Sequence, residues 1–124
     1  MIDEPRIATA PKLPLREVED AAAGLQIFEV ILDSSGTSVA PFKAACFTVE
    51  PGCTTPVDSH SMREIWLVTD GSGELIYDGK TVPVRKSDIV YFEPPKPHQV
   101  RNDGTASLII FSVWWDAPVE SDDY

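Results

Sequence analysis

The chain contains two histidines, His60 and His98, and both lie among carboxylates and turn-forming residues. The first segment reads Gly52-Cys53-Thr54-Thr55-Pro56-Val57-Asp58-Ser59-His60-Ser61-Met62-Arg63-Glu64, with Gly71 further on. The second runs from Ser87-Asp88 through Glu93-Pro94-Pro95-Lys96-Pro97-His98 to Asn102. Asp58 and His60 have the same parity, so an extended backbone points both side chains to one side. Glu64 keeps that parity if the strand is regular. His98 must be brought alongside them by strand pairing. Imidazole and carboxylate ligands drawn from separate strands, with coordination positions left open, suit a divalent ion used in catalysis. His60, Glu64 and His98 are the candidate ligands, and Asp58 is the candidate fourth.

Asp58 admits three roles. It can ligate a metal directly, hold a metal-bound water as a base, or act as a general acid or base without metal. Two neutral imidazoles with two carboxylates cancel the charge of a divalent ion. Such a site holds a hard ion well but is a weaker Lewis acid than a site with one carboxylate. If Asp58 stands off, two histidines and Glu64 form the open face that suits Fe(II) and oxygen chemistry. Against these readings, each histidine could be an ordinary structural residue, Glu64 a surface charge and Asp58 a residue of a polar loop after Pro56.

These groups need strands to position them, and short alternating runs supply them. Gln26 to Leu32, Lys43 to Glu50, Glu64 to Thr69, Glu74 to Tyr77, Lys80 to Val84, Asp88 to Phe92, His98 to Arg101 and Ser107 to Trp115 all read as strands. Asp78-Gly79 predicts a tight hairpin of type I′. About eight or nine strands without a long helix between them predict an antiparallel sandwich or barrel. Ile65-Trp66-Leu67-Val68 is apolar on both faces, so one face fills the barrel and the other packs outward on a second sheet or a partner. Pro14 to Gly24 is compatible with a short helix and equally with an extended edge segment. The expected organisation is an N-terminal arm over 1–24, a barrel over 25–116 and an acidic tail over 117–124.

Composition excludes several partners. The 124 residues favour one domain, and 10 basic against 20 acidic residues give a net charge of −10. Nucleic acid and anionic membrane surfaces are therefore not expected partners. Arg63, Lys96 and Arg101 adjoin the candidate ligands and offer local positive charge near a pocket. Cys46 and Cys53 are not in CxxC spacing, and the first residues show no basic region followed by an apolar one. A reduced, cytoplasmic protein without a signal peptide is the expectation. Cys53 as a nucleophile would need an electropositive surrounding that the sequence does not show.

The two segments resemble the two motifs of the cupin superfamily. Its first motif is Gly, five residues, His-x-His, three or four residues, Glu, six residues, Gly. Here Gly52, Asp58-Ser59-His60, Glu64 and Gly71 fall at those spacings, with Asp58 in place of the first histidine. Its second motif is Gly, five residues, Pro-x-Gly, two residues, His, three residues, Asn. Here Ser87, Glu93-Pro94-Pro95, His98 and Asn102 fall at those spacings, so two glycines and one proline are replaced. The resemblance implies an all-β fold, the antiparallel double-stranded β-helix or jelly-roll barrel, with an extended N-terminal arm. It implies a bound divalent metal, Fe(II) or Mn(II) first and Zn(II) or Ni(II) next. It also implies a homodimer, for which the arm and Trp114-Trp115 are candidate elements.

The functional expectation is a small metal-dependent enzyme acting on a small organic metabolite, with oxygenase-type chemistry slightly favoured. A lyase, dehydratase, cyclase or isomerase working by acid–base chemistry, with or without metal, is the nearest alternative. Asp58, Tyr77 and Tyr91 are its candidate catalytic groups. Tyr77, Tyr91 and Trp66 are also candidates to line the pocket, against aromatic packing within the strands. A non-catalytic small-molecule-binding barrel is the third reading.

Overall fold

The computed structural model describes residues 12–34, 37–38 and 40–116. The first part of the expected arm, 1–11, and the expected tail, 117–124, lie outside the described residues. Among the described residues eleven strands run β1 (Leu15–Glu17), β2 (Leu25–Val30), β3 (Asp33–Ser34), β4 (Thr37–Ser38), β5 (Lys43–Val49), β6 (Met62–Asp70), β7 (Ser72–Tyr77), β8 (Lys80–Arg85), β9 (Ile89–Phe92), β10 (His98–Arg101) and β11 (Leu108–Asp116). All pair antiparallel. The fold is the all-β jelly-roll barrel that the sequence leads one to expect.

A six-stranded sheet has the order β1-β2-β5-β11-β6-β9, and a three-stranded sheet the order β10-β7-β8. The segment after Gly52 extends the smaller sheet. It bridges to β10 at Thr54↔Arg101 and Asp58↔His98, leaving the irregular loop backbone paired rather than exposed. Val49, Trp66, Val68, Leu108 and Ile110 from the large sheet meet Leu75, Val84 and Val100 from the small one in a single buried cluster. Alternation explains this packing. In β6, Glu64, Trp66 and Val68 are buried while the residues between them are only partly so.

The Asp78-Gly79 hairpin forms as expected, with φ of 51° and 80° and Tyr77 paired to Lys80. Between Pro14 and Gly24 the extended alternative prevails and no helix forms. β1 adds to the edge of β2, and Arg16 lies opposite Glu29 in the register with an ion pair of 2.9 Å. Edge pairing overrides a local pattern that fits a helical turn as well.

Candidate metal centre

Three pieces of chain deliver the candidate ligands. Glu64 lies near the start of β6 and points inward with Trp66. His60 lies in the segment that leads into β6. Asp58 and His98 are held side by side by reciprocal backbone hydrogen bonds of 2.9 Å each. One ligand atom from each of Asp58, His60, Glu64 and His98 lies within 4.8 Å of the other three. His60 Nε2 is 2.9 Å from Glu64 Oε1, His98 Nε2 is 3.1 Å from the same oxygen, and His60 Nε2 is 3.8 Å from Asp58 Oδ2.

The other edge of each ring is held by backbone. His60 Nδ1 is 2.9 Å from the Met62 carbonyl oxygen and His98 Nδ1 is 3.4 Å from that of Lys96. A carbonyl can only accept, so each Nδ1 carries the hydrogen and each Nε2 faces the centre. Two imidazole nitrogens and two carboxylates then converge on one point. Such an electron-rich set is favourable only with a cation at its centre, either protons on the rings or a metal ion. The donor set therefore fits a divalent metal, with His60, Glu64 and His98 as the inner ligands and Asp58 reaching in from the mouth. Further packing fixes the His98 ring, which stacks on Phe92 at 4.1 Å with planes 5° apart.

Glu64 is the anchor of the cluster. Its second oxygen, Oε2, accepts from Trp66 Nε1 at 2.7 Å and from Ser112 Oγ at 2.5 Å. Burial pushes the carboxyl group up, but the hydrogen bonds from His98, Ser112, Trp66 and His60 outweigh it and hold its pKa at about 2. For His98, burial disfavours the charged ring. The hydrogen bond and charge of Glu64, the Lys96 carbonyl and the charge of Asp58 prevail, so its pKa is raised. Glu64 therefore stays anionic at all ordinary pH values.

The cluster opens into a cavity of about 590 Å³, which is in the range of small-molecule sites. Leu25 and Ile27 of β2, Ala45 and Phe47 of β5 and Trp114 of β11 form much of its wall. Pro56 and Val57 flank it from the loop before Asp58, and Val18 and Ala21 from the chain between β1 and β2.

The family model described as Cupin domain matches residues 45–114, which hold all four candidate ligands. The chain belongs to the cupin family. It is similar to a cupin 2 conserved barrel domain protein from Salinispora arenicola CNS-205, with 31% identity and a TM-score of 0.68, over 94% of this chain and 90% of that one. A cupin 2 domain-containing protein from Halorhodospira halophila is 25% identical with a TM-score of 0.68, over 82% of this chain and 72% of that one. A predicted oxalate decarboxylase from Thermotoga maritima shares the fold at 17% identity and a TM-score of 0.69, over 87% of this chain and 96% of that one.

The departures of this cupin from the family pattern have structural readings. Ser87 stands where the second motif has glycine, and it adopts the left-handed φ of 80°. Gly71 adopts φ 83°, and a Cβ there would lie 2.4 Å from the Ser107 carbonyl oxygen, so that position requires glycine. Asn102 is fully buried and closes the turn, donating to the Val49 and Ala106 carbonyls and accepting from Gly104 N–H.

Two candidate catalytic residues do not join the centre. Tyr91 lies opposite Ile65, on the face of β6 away from Glu64, and is 43% exposed. Its hydroxyl donates to Glu93. Tyr77 packs on Phe92 at 5.3 Å, and its hydroxyl accepts the Glu93 N–H, bracing the turn that carries His98. Neither lines the cavity. The expected local positive charge is also absent there: Arg101 pairs with Glu74, and none of Arg63, Lys96 and Arg101 lines the cavity. Trp114, a candidate dimer element, lines the cavity. Sequence reasoning missed Ser112. It is the one hydroxyl side chain in an otherwise apolar stretch of β11, in phase with buried Leu108 and Ile110. That polar residue on the inward parity was the available signal.

Among the described residues no helix is long and apolar enough to cross a membrane.

Proposed function

We propose that this cupin is a metal-dependent enzyme acting on a small organic metabolite, with oxygenase-type chemistry slightly favoured. The observation that carries the reading is the convergence of His60, Glu64, His98 and Asp58 at one end of a cavity of about 590 Å³. His60, Glu64 and His98 would hold the ion, with Fe(II) or Mn(II) first and Zn(II) or Ni(II) next. A divalent ion bound there would supply Lewis acidity and, as Fe(II), redox chemistry. The chain's residues do the rest. Ser112 and Trp66 fix the Glu64 carboxylate, the two backbone carbonyls fix the rings, and the apolar walls offer the metabolite a hydrophobic surface.

A second reading, a lyase, dehydratase or isomerase, is favoured by the exposure of Asp58. Its side chain is 63% exposed at the cavity, where it can take or give a proton at its carboxylate oxygen. In that reading Asp58 moves a substrate proton and the other three groups hold the metal.

Metal analysis of the purified protein tests the core of both, with about one equivalent per chain expected. No uptake of any transition metal, before or after reconstitution, would reject the metal centre. Oxygen-electrode measurements on the Fe(II)-loaded protein with candidate metabolites then separate the two classes.

A further inference from the structure

The cavity has a direction. Its inner-face residues step across four neighbouring strands of the large sheet: Glu64 on β6, Ser112 on β11, Ala45 on β5 and Ile27 on β2. The register holds them in rows, with Ser112 opposite both Trp66 and Ala45, and Phe47 opposite Ile27. Three interstrand spacings separate β6 from β2, roughly 14 Å. The metal ligands lie at the β6 end. The far end is made by Leu25, Ile27, Val18 and Ala21.

Charge along this path is one-sided. No lysine or arginine lines the cavity among the described residues, while Asp20 does, along with Asp58 and Glu64. Two carboxylates neutralise a divalent ion, so the loaded centre offers no net positive charge to a distant anionic group. The remaining polar wall atoms are largely committed. Ser112 and Trp66 donate to Glu64, and Thr55 Oγ1 accepts the Val100 N–H. A carboxylate, sulfonate or phosphate at the β2 end would meet the Asp20 carboxylate and no cationic partner among the described residues, which disfavours its binding.

We infer that the ligand of this site is a largely apolar molecule with no anionic group on its tail, whose polar head reaches the metal while that tail runs along β11 and β5 toward β2. This assignment rests on the proposed metal site for its head but on the walls alone for its tail. It sets this cavity apart from one built for compounds anionic at both ends.

The test compares two compounds with one coordinating head and different tails, 4-methylcatechol and catechol-4-sulfonate, on Zn(II)-loaded protein by isothermal titration calorimetry. Each affinity is taken relative to that compound's affinity for Zn(II) held by nitrilotriacetate, which removes the tail's effect on the head. The methyl compound should bind more tightly by at least about tenfold. Val57→Lys, at a position 63% exposed beside the cavity, should narrow that ratio without unfolding the protein. Equal or tighter binding of the sulfonate by the unaltered protein would overturn the inference. Failure to take up Zn(II) would instead overturn the metal reading. The tail preference is then read on the metal-free protein with p-cresol against 4-hydroxybenzenesulfonate, where the same ordering supports it and the reverse rejects it.

Discussion

Ser112 Oγ donates to Glu64 Oε2 at 2.5 Å, and this bond decides which Glu64 oxygen faces the histidines. Trp66 Nε1 occupies the same oxygen, so Oε1 alone is left to the centre. A ligating carboxylate held in this way loses little rotational freedom when an ion binds. Ser112→Ala should therefore keep the fold and the stoichiometry but weaken metal binding by roughly 10–100-fold. Titration of the metal-free variant with Mn(II) or Zn(II) by calorimetry measures this. Unchanged affinity would show that Trp66 suffices.

Asp58 and the other three ligands make different contributions. His60 and His98 each bond Glu64 Oε1 and all three are shielded, whereas Asp58 is exposed and its oxygen stands 3.8 Å from His60 Nε2. Asp58→Ala should retain about one metal per chain with weakened affinity, while His98→Ala should abolish stoichiometric uptake. Metal analysis after gel filtration distinguishes the two. If Asp58 carries a proton, Asp58→Asn will lose turnover while still holding metal.

Metal binding should oppose the pH dependence of stability of the metal-free protein. In the metal-free protein the raised pKa of His98 contributes stability that is fully present below its ordinary value of 6.5 and is lost as pH rises through the raised value. The lowered pKa of Glu64 contributes stability that is present above its ordinary value of 4.5 and is lost as pH falls toward about 2. Metal-free protein should therefore melt at a higher temperature at about pH 5.5 than at about pH 8.5. A bound ion competes with the His98 proton, so the gain in melting temperature from metal should grow as pH rises. Thermal unfolding at the two pH values, with and without Zn(II), checks both signs. A gain from metal that did not grow between the two pH values would separate His98 from the ligand set.

The fold was legible because strands of this length announce themselves by alternation and by turns such as Asp78-Gly79. The candidate cluster was legible because Asp58, His60, Glu64 and His98 fall at the spacings of the two family motifs, although 59–61 are irregular and Asp58 joins β10 rather than β6. What parity could not give is the inward face of strands that are apolar on both sides. Ile89-Val90-Tyr91-Phe92 offers no polar residue to mark the outside, and the register with β6 turns Phe92 inward and Tyr91 out. β11 has the same ambiguity, which hid both Ser112 and the cavity face of Trp114. Arg63, Lys96 and Arg101 are close to the ligands in sequence yet do not reach the cavity. Neighbours in an extended chain point to opposite faces, and turn residues project into solvent.

Ser87 gives a prediction that is independent of metal. Its φ of 80° is left-handed, a conformation that costs a residue with a Cβ roughly 1–2 kcal/mol, and it is exposed in the turn between β8 and β9. Its backbone is held there by the bond from Ser87 N–H to the Val68 carbonyl at 2.8 Å, so the turn does not relax. Asp78 also has positive φ, but aspartate tolerates this region better and a two-residue hairpin demands it. Glycine at position 87 removes the strain but adds about 0.5–1 kcal/mol of backbone entropy to the unfolded chain. The balance favours Ser87→Gly by about 0.5–1 kcal/mol, whereas Asp78→Gly should gain less. Urea unfolding of both variants against the parent measures the difference. A loss of stability in Ser87→Gly would mean that the serine hydroxyl offsets the strain.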